Sequence, residues 1–206
     1  MTEQEQFIHE YCDFSNPNWV WILTGISRNK DKTSDSGVKF LHRSIIAKPE
    51  DIITGYTTIK KTADNPHTIY RMYISLNARD AVNTLFNFQK KIIDVGMGLA
   101  KNQTDALNLS KKINSVWKKE LAQPINRGTK RILLDIDNDN GDMFIDIKKY
   151  VNNMDTEVIT CRKTVSGYHI VFNACDTRQL MLYCEEIGAD VDLKRDSMVF
   201  VEQWRG

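Results

Sequence analysis

The sequence predicts a two-lobed α+β fold, with an N-terminal α/β module over residues 1–125 and a C-terminal half over residues 126–206. Its 206 residues are 41% hydrophobic, enough for one compact core or two small lobes that share a cleft. Pro124 and Gly128 punctuate the chain between the two parts. From Lys130 onward, apolar runs follow the order β-α-β-β-α-β with one extra strand.

The N-terminal module begins its regular structure with two apolar runs that read as buried strands on either side of a polar stretch. A long hairpin is one arrangement that fits them. A third strand-like run precedes a segment with helical spacing, for which Gly96 is a candidate stop. The two strands are "WVWILTGI" (19–26) and "VKFLHRSIIA" (38–47), the polar stretch is 27–37, the third strand is 68–77, and the helices are 78–92 and about 104–121.

The C-terminal half alternates strands and helices more clearly. In order, its segments are the strand "KRILLDID", the helix "DMFIDIKKYVNNM", the strands "EVITCRK" and "YHIVFNA", the helix "TRQLMLYCEEIG", the short strand "ADVDL" and the last strand "SMVFVEQW". This order suits a split β-α-β sheet of the RRM-like and ferredoxin-like kind. Helices would cover one face of that sheet and leave the other face free for a site.

Composition excludes some classes of protein and leaves others open. Lys and Arg number 28 against 27 Asp and Glu, so the net charge of +1 neither supports nor excludes nucleic-acid binding. The four cysteines lie far apart without a CxxC pair, which predicts reduced thiols and not a zinc site. An acidic, polar N-terminus and the lack of a long apolar run predict a cytoplasmic protein with no membrane partner.

The stretch "RILLDIDNDNGD" (131–142) is the first that indicates chemistry. Side chains alternate along a strand, so Asp135 and Asp137 point to the same side, roughly 7 Å apart. Two carboxylates this close repel each other unless a cation lies between them or water screens them. Mg²⁺ or Mn²⁺, bound together with the phosphate oxygens of a nucleoside triphosphate, would relieve that repulsion.

Two other interpretations of this stretch remain open at the level of sequence. Aspartate and asparagine are also the residues of polar turns, so a strand that ends in an ordinary turn is one interpretation. Asp135, Asp137 and Asp139 match the first ligand positions of an EF-hand calcium loop. That loop, however, needs glycine where Asn140 stands and glutamate where Asp146 stands.

A second informative stretch is "RKTVSGYHIVF" (162–172), at a junction between two predicted strands. Gly167 permits a tight turn, Ser166 offers a hydroxyl group, and Lys163 carries a charge that can neutralise phosphate. His169 begins the strand that would lie next to the one carrying Asp135, where its imidazole could donate to a phosphate. The alternative is an ordinary hairpin whose histidine is only packed.

A third stretch, "GADVDLKRDS" (188–197), places Asp190 and Asp192 in a short strand that can neighbour the first strand of the half. One of these carboxylates could then complete a metal site with Asp135 and Asp137. The competing interpretation is an edge strand that carries charge to prevent aggregation.

The ordered set "LLDID", "SGYH" and "VDL" resembles the motifs of the archaeo-eukaryotic primase superfamily, in particular small phage and plasmid primase-polymerases. The resemblance covers the chain from about residue 130 and implies an RRM-like catalytic half that binds two Mg²⁺ or Mn²⁺ ions. It implies that Asp135, Asp137 and Asp192 are the metal ligands, with Asp190 in reserve. It also implies that Ser166 and His169 contact the incoming nucleotide, beside Lys163.

The segment "YRMYISLNARD" is similar to a strand and helix start in small phage relatives, and makes Arg71 and Arg79 candidate contacts to phosphate or template. The resemblance implies nucleoside triphosphates and single-stranded nucleic acid as partners, with a helicase or another replication protein as a further candidate. The zinc-binding cysteine cluster of many cellular primases is absent from this sequence, and the second motif, SGYH, is shorter than in those relatives. Three functions fit these observations. The first is a DNA or RNA primase-type nucleotidyltransferase, and the others are a metal-dependent nuclease and a non-catalytic binding protein with a degenerate primase fold.

Overall fold

The structure is a computed structural model that describes residues 1–27, 39–63, 65, 67–99, 113–114 and 116–206. It confirms an α+β fold and contains two antiparallel sheets with helices packed against them. Residues 28–37 of the predicted polar stretch (27–37) and most of the predicted helix at about 104–121 lie outside the described residues. Within the described part of the chain, no helix is long and apolar enough to span a membrane.

The first sheet is built from both ends of the chain. Its strands lie in the order β2-β1-β3-β9, and a short strand, β4, pairs with the start of β1. The predicted hairpin is confirmed, because β1 and β2 pair antiparallel. The bounds are β1 Trp19–Ser27, β2 Lys39–Ile46, β3 Ile69–Ser75, β4 Arg79–Asp80 and β9 Met198–Arg205.

The helices of the N-terminal half pack against the apolar residues of this sheet. Three of them are α1 (Glu3–Tyr11), α2 (Glu50–Lys61) and α3 (Ala81–Leu99); residues 116–121 are helical as well, and a 3-10 turn follows at Pro124–Asn126. Helix α3 continues past Gly96, the predicted stop. Its buried side contains Thr84 and Phe88, whereas Val82 and Leu85 are exposed.

The second sheet has the strand order β6-β7-β5-β8, with every neighbouring pair antiparallel. Residues alternate between its two faces, as strand geometry requires. Ile132, Leu134 and Ile136 pack with the helices, whereas Leu133 joins the core of the first sheet. The bounds are β5 Arg131–Ile136, α4 Gly141–Asn152, β6 Val158–Lys163, β7 Tyr168–Asn173, α5 Arg178–Glu186 and β8 Val191–Lys194.

The last strand departs from the predicted division of the chain. The sequence placed it with residues 126–206, but β9 pairs along its length with β3 of the first sheet. Val199 and Val201 are buried in the core of that sheet, and Trp204 stacks on Tyr70 with ring centroids 5.7 Å apart. Both sheets have open edges, and the apolar alternation of this strand does not specify which edge it joins.

Candidate functional site

The main cavity lies where the two sheets meet and has a volume of about 420 Å³. This size is in the range of pockets that bind small molecules. Strands β1, β3 and β9 supply part of its wall, and β5, β7 and β8 supply the charged residues of the other part. Its polar lining comprises Thr24, Arg71, Tyr73, Asp135, Asp137, Thr164, His169, Lys194 and Ser197.

A row of four polar residues crosses the second sheet at the edge of this cavity. Asp135 in β5 is directly opposite Asp192 in β8 and directly opposite His169 in β7. Arg162 in β6 is in turn opposite His169. Directly opposite residues on neighbouring strands share a face of the sheet, so these side chains are neighbours. Strand pairing therefore brings together two of the three predicted metal ligands and the predicted histidine.

Asp135 is the most constrained carboxylate of the row, with a side chain only 17% exposed. His169 Nε2 lies 3.2 Å from its Oδ1, and Lys194 Nζ lies 2.5 Å from its Oδ2. Partial burial opposes ionisation, but the hydrogen bonds from His169 and Lys194 and the charge of Lys194 outweigh it and lower the pKa of Asp135 to about 2. Asp135 is therefore ionised at neutral pH.

His169 is buried, and both of its ring nitrogens have partners. The backbone N–H of Phe200 in β9 donates to Nδ1 at 3.3 Å. Because Nδ1 accepts, Nε2 carries the hydrogen and donates it to Asp135. In this geometry His169 orients Asp135, and neither ring nitrogen is available to a phosphate.

Lys194 is a site residue that the sequence analysis missed. Its ammonium group contacts Asp135 and also lies 3.4 Å from Oδ2 of Asp192. Partial burial lowers the pKa of Lys194, but the two carboxylates outweigh that effect and raise it above its usual value. The sequence feature that could have indicated Lys194 is its position two residues after Asp192 on the same strand, which places both side chains on one face.

Asp137 lines the cavity but is exposed, as expected for a residue just beyond the end of β5. Its backbone N–H donates to the carbonyl of Asp190 at 3.0 Å. Asp190 and Asp192 therefore flank the same strand end, and Asp192 is the one whose carboxylate reaches Lys194.

The loop after Asp137 has local roles. Oδ1 of Asn140 accepts hydrogen bonds from the backbone N–H groups of Asp142 and Met143, so Asn140 caps α4. Asp139 forms an exposed ion pair with Lys163 at 3.0 Å. Asn140 thus serves the helix and Asp139 is paired with a lysine, an arrangement unlike a calcium loop.

The turn between β6 and β7 presses against the end of β5. A Cβ atom on Gly167 would lie 1.8 Å from the carbonyl oxygen of Ile136, so only glycine fits there. Thr164 and Val165 line the cavity, whereas Ser166 is exposed and is absent from the lining. The turn thus reaches the cavity through residues other than Lys163 and Ser166.

The two predicted arginines lie in different surroundings. Arg71 lines the main cavity from β3, where its Nε donates to Gln203 at 3.1 Å. Arg79 is buried and forms a two-point ion pair with Asp196, with N–O distances of 2.7 and 3.2 Å. It lines a second cavity of about 220 Å³ that shares Thr24, Ser197 and Met198 with the main one.

The oxygen donors present suit one divalent ion better than two. Asp135 and Asp137 both line the cavity and offer hard carboxylate oxygens. Asp192 is outside the lining and contacts the ammonium group of Lys194. Across the described ranges, no group of three His, Cys, Asp or Glu side chains is arranged to hold a metal ion. The carboxylates that face the cavity are thus those of Asp135 and Asp137, and Asp192 faces the lysine.

Comparison with known proteins adds no relative. No family model matches the chain. Searches of curated proteins and of solved structures find no significant match either. The function of the chain has to be inferred from its own residues.

Proposed function

We propose that the main cavity binds a nucleoside triphosphate and that the protein is a primase-polymerase-like nucleotidyltransferase acting on a single-stranded template. The observation that carries the proposal is the cavity that contains Asp135, Asp137 and His169 together, although these residues belong to two separate sequence motifs. The strand order β6-β7-β5-β8 with helices on one face supports an RRM-like half. The first sheet lines the opposite side of the cavity, which supports a two-lobed arrangement.

Asp135 and Asp137 would hold a divalent ion such as Mg²⁺ or Mn²⁺. Such an ion, when bound, supplies positive charge to the phosphates and to the leaving pyrophosphate. Arg71 and the Thr164 hydroxyl face the same cavity and suit the remaining phosphate oxygens. The low pKa of Asp135 keeps it charged, so proton competition for this ligand is small at neutral pH.

The protein's own residues hold the metal ligand in position. His169, held by Phe200 N–H on one side, fixes the direction of the Asp135 carboxylate on the other. Such outer-shell support keeps a ligand in its productive geometry. A 3′-hydroxyl group aligned with the α-phosphate at this point would yield a chain extended by one nucleotide and free pyrophosphate. Interaction with a helicase or another replication protein is part of the same proposal.

The test is extension of a labelled single-stranded DNA, with and without a primer, in the presence of Mn²⁺ and nucleotides. We expect products with the unmodified protein and a loss of roughly 100-fold or more in Asp135→Asn and Asp137→Asn. Asp139→Asn is the matched control, because this carboxylate is on the same loop but pairs with the exposed Lys163. Equal activity in all three variants would contradict the proposal.

A non-catalytic nucleotide-binding protein is the second candidate. The observation that favours it is the pairing of Asp135 with both His169 and Lys194, which occupies the carboxylate without any ligand. Its mark would be nucleotide binding that persists in Asp135→Ala and Asp137→Ala, with no extension product under any condition. Shortening of the labelled strand in the absence of nucleotides would instead indicate a metal-dependent nuclease.

A further inference from the structure

The cavity contains a cation of its own, between two carboxylates that face each other across neighbouring strands. We infer that Lys194 is a built-in cation that takes the place of one metal ion, so that the cavity binds a single divalent ion at Asp135 and Asp137. This inference rests on the proposed function for its meaning in catalysis. Its test, however, is a count of bound metal ions and is independent of activity.

The position of Lys194 follows from the register of β5 and β8. Asp192 is directly opposite Asp135, and Lys194 is directly opposite Leu133. Because residues two apart on a strand share a face, all four side chains point to the same side of the sheet. Lys194 reaches diagonally to Asp135 at 2.5 Å and back along its own strand to Asp192 at 3.4 Å. Its ammonium group thus contacts both carboxylates.

Electrostatics makes this cation hard to replace. Like charges directly opposite on neighbouring strands destabilise a sheet, and a positive charge between them removes the repulsion. A metal ion between Asp135 and Asp192 would have to displace the ammonium group, which is held by a carboxylate only 17% exposed. Asp137 has no such partner among the described ion pairs and is exposed at the cavity. The open oxygen donors are therefore on the Asp137 side.

The charges around the cavity lead to the same conclusion. The carboxylates of Asp135 and Asp137 in the lining are balanced by the cations of Lys194 and Arg71, so the lining has no net charge. One divalent ion gives it two net positive charges, which suit a bound triphosphate. A lysine ammonium group also offers three donors that phosphate oxygens can accept.

The experiment is a titration with Mn²⁺ alone, in which free Mn²⁺ is measured by its EPR signal. We expect one bound ion per chain for the unmodified protein and two for Lys194→Met, because the vacated space between Asp135 and Asp192 then attracts a second ion. Lys194→Arg keeps the charge and should still bind one. Lys163→Met removes the exposed lysine paired with Asp139 and is the matched control, also expected to bind one.

A second variant keeps the inference testable if Lys194→Met does not fold. The Asp192 side chain is 63% exposed, so Asp192→Asn should fold normally. If Asp192 pairs with Lys194 and not with metal, this variant should keep the Mn²⁺ affinity of the unmodified protein. Weakening by about tenfold or more would identify Asp192 as a metal ligand and overturn the inference.

Other outcomes are also decisive. Two ions bound to the unmodified protein, no bound ion, or one ion in a folded Lys194→Met would each overturn the inference. Failure of the proposed function would give a different result. The unmodified protein would then bind one ion and Lys194→Met two, but neither would extend a primer. Extension by a protein that binds two ions would support the function and reject the role of Lys194.

Discussion

At the scale of single residues, the site depends on a few contacts that hold one carboxylate in place. Asp135 receives a hydrogen bond from His169 and an ion pair from Lys194, and each partner comes from a different strand. Strand spacing predicted that Asp135 and Asp137 lie on one face of the sheet, because the alternation of side chains along a strand depends only on local geometry. The link from His169 to Phe200 joins residues 31 positions apart and depends on the path of β9.

The low pKa of Asp135 predicts a stability that depends on pH. Its folded pKa of about 2 is below its usual value of 3.8, so its ionisation stabilises the fold above about pH 4. That contribution is lost as the pH falls from about 4 to 2, and amounts to roughly 2 kcal/mol. Urea unfolding of the unmodified protein and of Asp135→Asn should show a gap in free energy that narrows over this window. A gap that stays constant from pH 6 to 2 would contradict the prediction.

Substitution of Gly167 should be strongly destabilising. An added Cβ atom would meet the backbone of Ile136 and Asn138, which cannot move aside as a flexible side chain can. We expect Gly167→Ala to lower the free energy of unfolding by about 3 kcal/mol. Gly141→Ala is the control, because its Cβ atom would have only Tyr168 Oη nearby, at 3.8 Å. Denaturant unfolding of both variants gives the comparison, and similar losses in the two would count against the close approach.

At the scale of elements, the polar loop that follows β5 also begins the next helix. The asparagines at 138 and 140 accept backbone hydrogen bonds from residues two or three positions later. Such short-range contacts are readable from sequence, since these residue types favour turns and helix starts. The inward side of α3 was less predictable, because both Val82 and Phe88 are apolar and only packing decides which is buried.

Loss of the α4 cap should cost a defined amount of stability. Asn140→Ala removes the side-chain acceptor for two backbone N–H groups in the first turn. We expect a decrease of about 1 kcal/mol in the free energy of unfolding. Asn152→Ala, an exposed position at the other end of the same helix, should change it by less than about 0.5 kcal/mol. Thermal or urea unfolding would detect the difference, and equal effects at the two positions would argue against the cap.

At the scale of the whole molecule, the two sheets share apolar contacts. Leu133 of β5 and Val171 of β7 are buried in the same cluster as Trp21, Met72 and Val199 of the first sheet. In addition, β9 returns the chain to the first sheet after the second is complete. The two halves are thus linked by core packing and by the path of the chain.

This shared core predicts a single unfolding transition. All four tryptophans, at 19, 21, 117 and 204, lie outside the second sheet and its helices, so their fluorescence reports on the first sheet and the segments around it. Far-UV circular dichroism reports on both halves, and the two curves should coincide. Leu133→Ala should shift both by the equivalent of about 3 kcal/mol, and the exposed Leu182→Ala should shift neither. A second transition seen only by circular dichroism would indicate halves that unfold independently.

Residue patterns alone predicted the order of most elements, the shared face of Asp135 and Asp137, and a glycine turn that approaches them. These features depend on spacing and residue type over a few positions. Three other features depend on how distant segments pack: β9 joins the first sheet, Arg79 pairs with Asp196, and Lys194 contacts Asp135. The reason is physical: an open strand edge and a charged side chain accept any suitable partner, and the packing of distant segments determines which partner is close.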